Sequence, residues 1–298
     1  MSITPSEASE LFRRPPERYV DVGGAEVAYR RVGAGPDVLF VHGWPVSGAT
    51  FRHLLPHLAD HVTCHVLDLA GTGDSRFDDS SPLSLDHHIV SVRRVIDELG
   101  LDDVALVGHD SGGLIVRHAA AGDPRVNAFG LIDTEQPAGL TWRFRSFLMI
   151  RRLPGIEGIL GWAVGQRRLR RNKLLLGDAF VDRSRLDGEF DEFFLRPIHE
   201  SAAHRAAAVK LLRSFDAALV DQLTDLHRRI EVPVQLVWGE RDAFFPVDQA
   251  RAMVATFPDA RLTVVPDAGL FAHEERPAEV ATALLSTLAR RRDGDERS

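Results

Sequence analysis

The run Val104–Gly113, VALVGHDSGG, limits the fold of this chain more than any other stretch. An apolar strand ends there and a helix must begin within two or three residues, which forces the residue at the apex into strained backbone geometry. Residues two places to either side must then be small, because the chain passes close to itself. Centring the turn on Asp110 puts Gly108 and Gly112 at those places, whereas centring it on Ser111 would put His109 where a small residue is needed. Asp110 is therefore the expected apex and nucleophile, in preference to a serine. A carboxylate that merely caps the next helix would leave the paired glycines unexplained.

The rest of the chain suits such a turn. Short apolar runs alternate with longer amphipathic stretches, the pattern of an α/β fold with a mostly parallel sheet flanked by helices. Strands are expected at VLFVHG, VTCHVLDL, DVALVGH, NAFGLID, VPVQLVWG and ARLTVVPD. A helix is expected from Ser84, its cap, to Gly100, its stop, with Ile89, Val92 and Ile96 on one face. Each strand ends in a Gly-containing or acidic loop, at the sheet edge where open α/β folds place their sites. From Pro137 to about Gln222 the rhythm stops and the sequence turns helical. The expected organisation is a core in two parts, 1–136 and 223–298, around a helical cap at 137–222. The charged tail ARRRDGDERS is expected to fray.

The motifs at these strand ends carry a resemblance. HGWP (His42–Pro45), DLAGTGDS, GHDSGG, WGERD and the closing GLFAHEERP together resemble the α/β-hydrolase superfamily. The match is to its aspartate-nucleophile branch, which holds epoxide hydrolases and dehalogenases. The resemblance implies an α/β-hydrolase fold with an inserted helical cap. It also implies that Asp110 attacks an electrophilic carbon to give an ester, which a histidine held by a second acid then hydrolyses. The backbone N–H groups of Trp44 and Ser111 supply the oxyanion hole. Asp242, closing WGERD, is the first choice for the second acid, and Asp133, in LIDTEQP, is the reserve.

One position departs from the pattern. Where the closing motif carries its histidine, this chain has Leu270, which can neither take nor give a proton. His273, three places on, is the nearest substitute, although helical spacing points it elsewhere. The expectation is an enzyme of hydrolase type with its hydrolytic step in doubt. The alternative is a non-hydrolytic (isomerase- or cyclase-like) or ligand-binding member. Trp44, His109, Trp142 and Trp162 are candidate substrate contacts, although packing is the commoner role for such tryptophans and His109 is expected to pack beneath the turn. Tyrosines occur only at Tyr19 and Tyr29, so the cap has none to hold an opening epoxide oxygen, and Ser111 stands where dehalogenases place a halide-binding Trp.

Composition bounds the partners. A net charge of −7 gives no reason to expect nucleic acid. No stretch approaches the roughly 20 apolar residues of a membrane span. The single cysteine, Cys64, excludes an internal disulfide and fits a reducing compartment. With no apolar core of signal-peptide length at the N-terminus, a cytoplasmic location is expected. Residues 141–175 hold nine basic side chains against one acid, Glu157, and read as a solvated helix face. His53, His57 and His61 recur every four residues, but no carboxylate or cysteine completes a set, so no metal and no cofactor are expected. The expected partner is a small, largely apolar substrate, taken up by a monomer or homodimer without membrane attachment.

Overall fold

A computed structural model describes residues 3–288; the C-terminal tail expected to fray, 289–298, lies outside the described residues. Eight strands form one sheet in the order β1-β2-β4-β3-β5-β6-β7-β8. They are β1 (Arg18–Asp21), β2 (Glu26–Gly33), β3 (Asp37–Val41), β4 (Thr63–Asp68), β5 (Val104–His109), β6 (Val126–Ile132), β7 (Val234–Gly239) and β8 (Ala260–Val265). From β4 onward along that order all pairings are parallel, while β1–β2 and β2–β4 are antiparallel.

The six expected strands are all present. The hairpin β1–β2 is an addition, its turn carried by Gly23 and Gly24 at φ +84° and +86°. The central strands β4, β5 and β7 are buried along their whole length, as continuous apolar runs covered on both faces require. The helix after β4 spans Leu85–Leu99. Ser84 Oγ accepts from the His87 N–H, and Gly100 closes the helix in the left-handed region at φ +63°.

Between β6 and β7 the described chain is helical, with helices at Trp142–Met149, Ile156–Gly165 and Ala202–Ser214 among others. The first turns apolar residues inward: Phe144, Phe147 and Leu148 are buried. Four of the basic residues in 141–175 pair with acids, and two of these, Arg143 and Arg170, are buried rather than on a solvated face. Arg167, Arg170 and Arg171 all pair with Asp187, Arg170 also with Asp191, and Arg143 with Asp178. No helix among the described residues is long and apolar enough to cross a membrane.

Candidate active site

Parallel pairing gathers the carboxyl ends of β3, β5, β6, β7 and β8 at one edge, and each end delivers a site residue. After β5, Asp110 sits at φ +52° with the helix Ser111–Ala120 starting at the next residue. A β-carbon on Gly112 would come within 2.2 Å of the Val41 carbonyl oxygen, and one on Gly108 within 2.5 Å of Gly113 Cα. The glycines flank the apex because backbone fills the space where a side chain would go. The Asp110 side chain makes no N-cap bond to its helix. Its Oδ2 accepts from the Trp44 N–H at 2.9 Å, and the Ser111 N–H nearby also favours the ionised carboxyl. Gly43 permits this approach, since a β-carbon there would lie 2.5 Å from Asp110 Oδ2.

Asp110 faces a cavity. The walls are mainly apolar, with Phe144, Phe147, Leu212, Phe215, Phe244 and Leu270 prominent. An apolar lining with a few polar points is that of a small-molecule site. Trp44, Ser111, His42, Thr72, His88 and Glu135 supply its polar points.

The two acids considered from sequence are both buried at this edge. Asp242 Oδ1 accepts from the N–H groups of Phe244 (2.7 Å) and Phe245 (3.1 Å). Asp133, itself at φ +38°, accepts from the Gly239 N–H at 2.7 Å. Each keeps a buried oxygen, Oδ2, without a partner among the described residues. Burial pushes the Asp133 carboxyl well up, the neighbouring Asp242 charge adds to it, and the Gly239 and Ala272 N–H groups pull the other way. Burial raises Asp242 to about 7, against the Phe245 and Phe244 N–H groups. Asp110 is pushed well up by burial and by the charges of Glu135 and Asp242, against the Trp44 and Ser111 N–H groups.

The Asp242 shift has a consequence for stability. A carboxyl that holds its proton more tightly when folded stabilises the fold below its unfolded value near 3.8, and that contribution is lost as pH rises through 7. The span corresponds to at most about 4 kcal/mol. Thermal melts should therefore fall between pH 5 and pH 8, and Asp242→Asn, which keeps the acceptor for both N–H groups, should flatten the fall. Equal slopes for the two proteins would refute the assignment.

Several candidates lie away from the cavity. Trp142 and Trp162 are 77% and 60% exposed and outside the cavity, so the expectation of substrate contact fails for both; each stands on the outer side of its helix. His109 does not reach the substrate side either. It is fully buried behind the apex, with Nε2 on the Leu270 carbonyl (3.0 Å). His273 is no replacement base in this arrangement: it is buried outside the cavity, its Nε2 2.7 Å from Thr50 Oγ1 and its ring against His109. The short helix Ala272–Glu275 starts just after Leu270 and turns His273 away from the cavity. Leu270 itself lines the cavity, as its place in the motif implies.

Glu135 was missed. It stands three residues beyond β6, buried, with Oε2 taking the Thr134 hydroxyl at 2.9 Å and Oε1 without a partner among the described residues. Burial raises its carboxyl, opposed by the nearby Arg117 charge. The signal was available: an acid in a strand-end loop, in the same LIDTEQP run as Asp133.

Comparison with known proteins agrees with this architecture. A pimeloyl-[acyl-carrier protein] methyl ester esterase of Xanthomonas campestris pv. campestris is 26% identical over 265 residues, 86% of this chain and 98% of that protein. Haloalkane dehalogenase 2 of Mycobacterium tuberculosis is 26% identical over 276 residues, 90% of this chain and 93% of its own. Among solved structures, the epoxide hydrolase CorEH superposes with a TM-score of 0.76 at 21% identity, covering 91% of this chain and 98% of that one. An alpha/beta hydrolase fold protein from Burkholderia ambifaria has the same TM-score at 23% identity, covering 92% and 98%. A model of the alpha/beta hydrolase family matches residues 38–283, from β3 through most of the last helix, and the chain belongs to that family.

Proposed function

We propose that this hydrolase takes a small, largely apolar electrophile, an epoxide or a haloalkane, and is alkylated by it at Asp110. A carboxylate oxygen of Asp110 forms a bond to the electrophilic carbon. The C–O bond of the epoxide, or the carbon–halogen bond, breaks, and its electron pair leaves with the oxygen or the halide. The helical insertion acts as the cap over the apolar cavity. The Trp44 and Ser111 N–H groups hold the carboxyl for attack and face the oxyanion that would form when water adds to the ester. The observation that carries this reading is Asp110 at the strained apex, with Oδ2 on the Trp44 N–H at 2.9 Å and the cavity in front of it.

Hydrolysis of the ester needs a base beside it, and Leu270 supplies none. The ester therefore accumulates. A second reading, in which the cavity binds or rearranges a ligand without an ester, draws on the raised carboxyls: a protonated Asp110 is an acid rather than a nucleophile.

Intact-protein mass spectrometry after exposure to 1-bromohexane and to styrene oxide separates the two. Alkylation predicts a persistent gain of one hexyl group in place of hydrogen, or of one whole epoxide, on the peptide containing Asp110. Because only the ionised carboxyl attacks, the bromohexane adduct should form faster at pH 9 than at pH 6. Absence of any adduct across that range would favour the second reading.

A further inference from the structure

We propose that His88 is the polar anchor of the cavity, placed to receive the hydroxyl group of an otherwise apolar ligand. The proposal rests on the cavity being the ligand site, as above, but not on Asp110 being a nucleophile.

His88 lies in the first turns of the helix Leu85–Leu99, is 2% exposed and lines the same cavity as Asp110. Neither of its ring nitrogens has a hydrogen-bond partner among the described residues. The other buried imidazoles differ. His42 bonds the Gly43 carbonyl through Nδ1 and takes the Leu69 N–H at Nε2. His65 spans Tyr29 and Asp37, and His227 spans Thr256 and Arg117. His109 and His273 each have one partner. A buried polar group left wholly unpaired costs free energy, and its retention in a cavity wall points to a partner that arrives with the ligand.

The chemistry of the ring narrows that partner. Burial, with the nearby His42, lowers His88 to about 3, so near neutral pH the imidazole is uncharged and offers one donor and one acceptor. A carboxylate could use only the donor, and an ammonium only the acceptor. A hydroxyl uses either, and the aromatic and aliphatic walls take the rest of the molecule. Hydroxyl-bearing apolar molecules are therefore the favoured occupants.

Benzyl alcohol and toluene test this, since they share a ring, differ by one hydroxyl and carry no electrophilic carbon. Titrations of the full chain labelled with 15N-histidine should show the alcohol, and not toluene, moving the His88 ring nitrogens. His88→Leu should lower the benzyl alcohol to toluene affinity ratio about tenfold, because the hydroxyl then enters an apolar wall. His88→Gln, which keeps a donor and an acceptor, should hold the ratio within about threefold of the original. If His88→Leu does not fold, the ring-nitrogen shifts in the original protein decide alone. Equal ratios in the original protein and His88→Leu, ring nitrogens unmoved by the alcohol, or no binding of either probe would overturn the proposal; equal ratios would mean that His88 is satisfied by trapped water. An adduct at Asp110 in the bromohexane experiment is independent of all these outcomes.

Discussion

Leu270→His should turn a persistent Asp110 ester into a transient one, with its decay accelerated about 10²- to 10⁴-fold, the usual contribution of a positioned base. The surroundings of position 270 support that size of effect. Leu270 and Asp110 share the cavity wall, so an imidazole there stands beside the ester carbonyl that water must attack. Two buried acids, Asp242 and Asp133, each keep an oxygen unpartnered at the ends of adjacent strands. Either can orient the new ring and stabilise its charged form, and the ring in turn relieves a buried carboxyl of its missing partner. The Leu270 carbonyl, which takes the His109 Nε2, belongs to the backbone and survives the substitution. Adding Asp242→Asn to Leu270→His should remove most of the gain if Asp242 is the orienting acid, and adding Asp133→Asn should do so if Asp133 is. Asp110→Asn should give no adduct, whether alone or combined with Leu270→His. An ester that decays no faster in Leu270→His would mean that the site lacks more than its base.

That experiment hinges on residues legible in the sequence, and the reason is geometric. The apex at Asp110, the flanking glycines and the Trp44 donor are tied to strand ends, and strand ends are marked by the switch from apolar runs to Gly, Asp and His. The order of those switches along the chain was enough to place Asp110, Asp133, Asp242 and Leu270 at one sheet edge. Side-chain direction was less accessible. Trp142 and Trp162 offered possible π-surface contacts, yet each falls on the outer side of its helix, while Phe144 and Phe147 take the inner side. A helix's rotation about its own axis depends on what it packs against, and for the insertion that information is tertiary. For His273 helical spacing did suffice: it turns the side chain away from the site, and the helix starting at Ala272 does so. The hairpin β1–β2 passed unread because its residues mix apolar, charged and glycine without a sustained run, and pairing with β4 supplies the order. Glu135 and His88 share a different cause. Their positions, the strand-end acid above all, are visible in the sequence, but burial and missing partners are what show that they face a cavity.

Glu135→Gln should move the two electrophile classes in opposite directions. Opening an epoxide leaves an alkoxide that needs a proton, whereas a departing halide needs none. Glu135 lines the cavity with Asp110 and is the acid without an assigned task, and its raised carboxyl suits a donor. The Glu135 charge pushes the Asp110 carboxyl up, so ionising both together is disfavoured. The Trp44 and Ser111 N–H groups favour the arrangement with Asp110 ionised and Glu135 protonated, the one the proposed epoxide opening requires. The Arg117 charge favours the reverse, although its guanidinium bonds the Glu135 carbonyl oxygen (2.9 Å) and Thr134 rather than the Glu135 carboxyl. Only a fraction of the molecules is then ready to react, which slows both substrates alike. Glutamine removes the proton donor, so adduct formation with styrene oxide should fall about 100-fold. It also removes the competing negative charge, so Asp110 ionises more readily and the bromohexane adduct should form faster at pH 7. Measuring both rates by intact mass in the same preparation cancels any loss of folded protein. Parallel losses would make Glu135 a structural acid, and unchanged rates would remove it from the chemistry altogether.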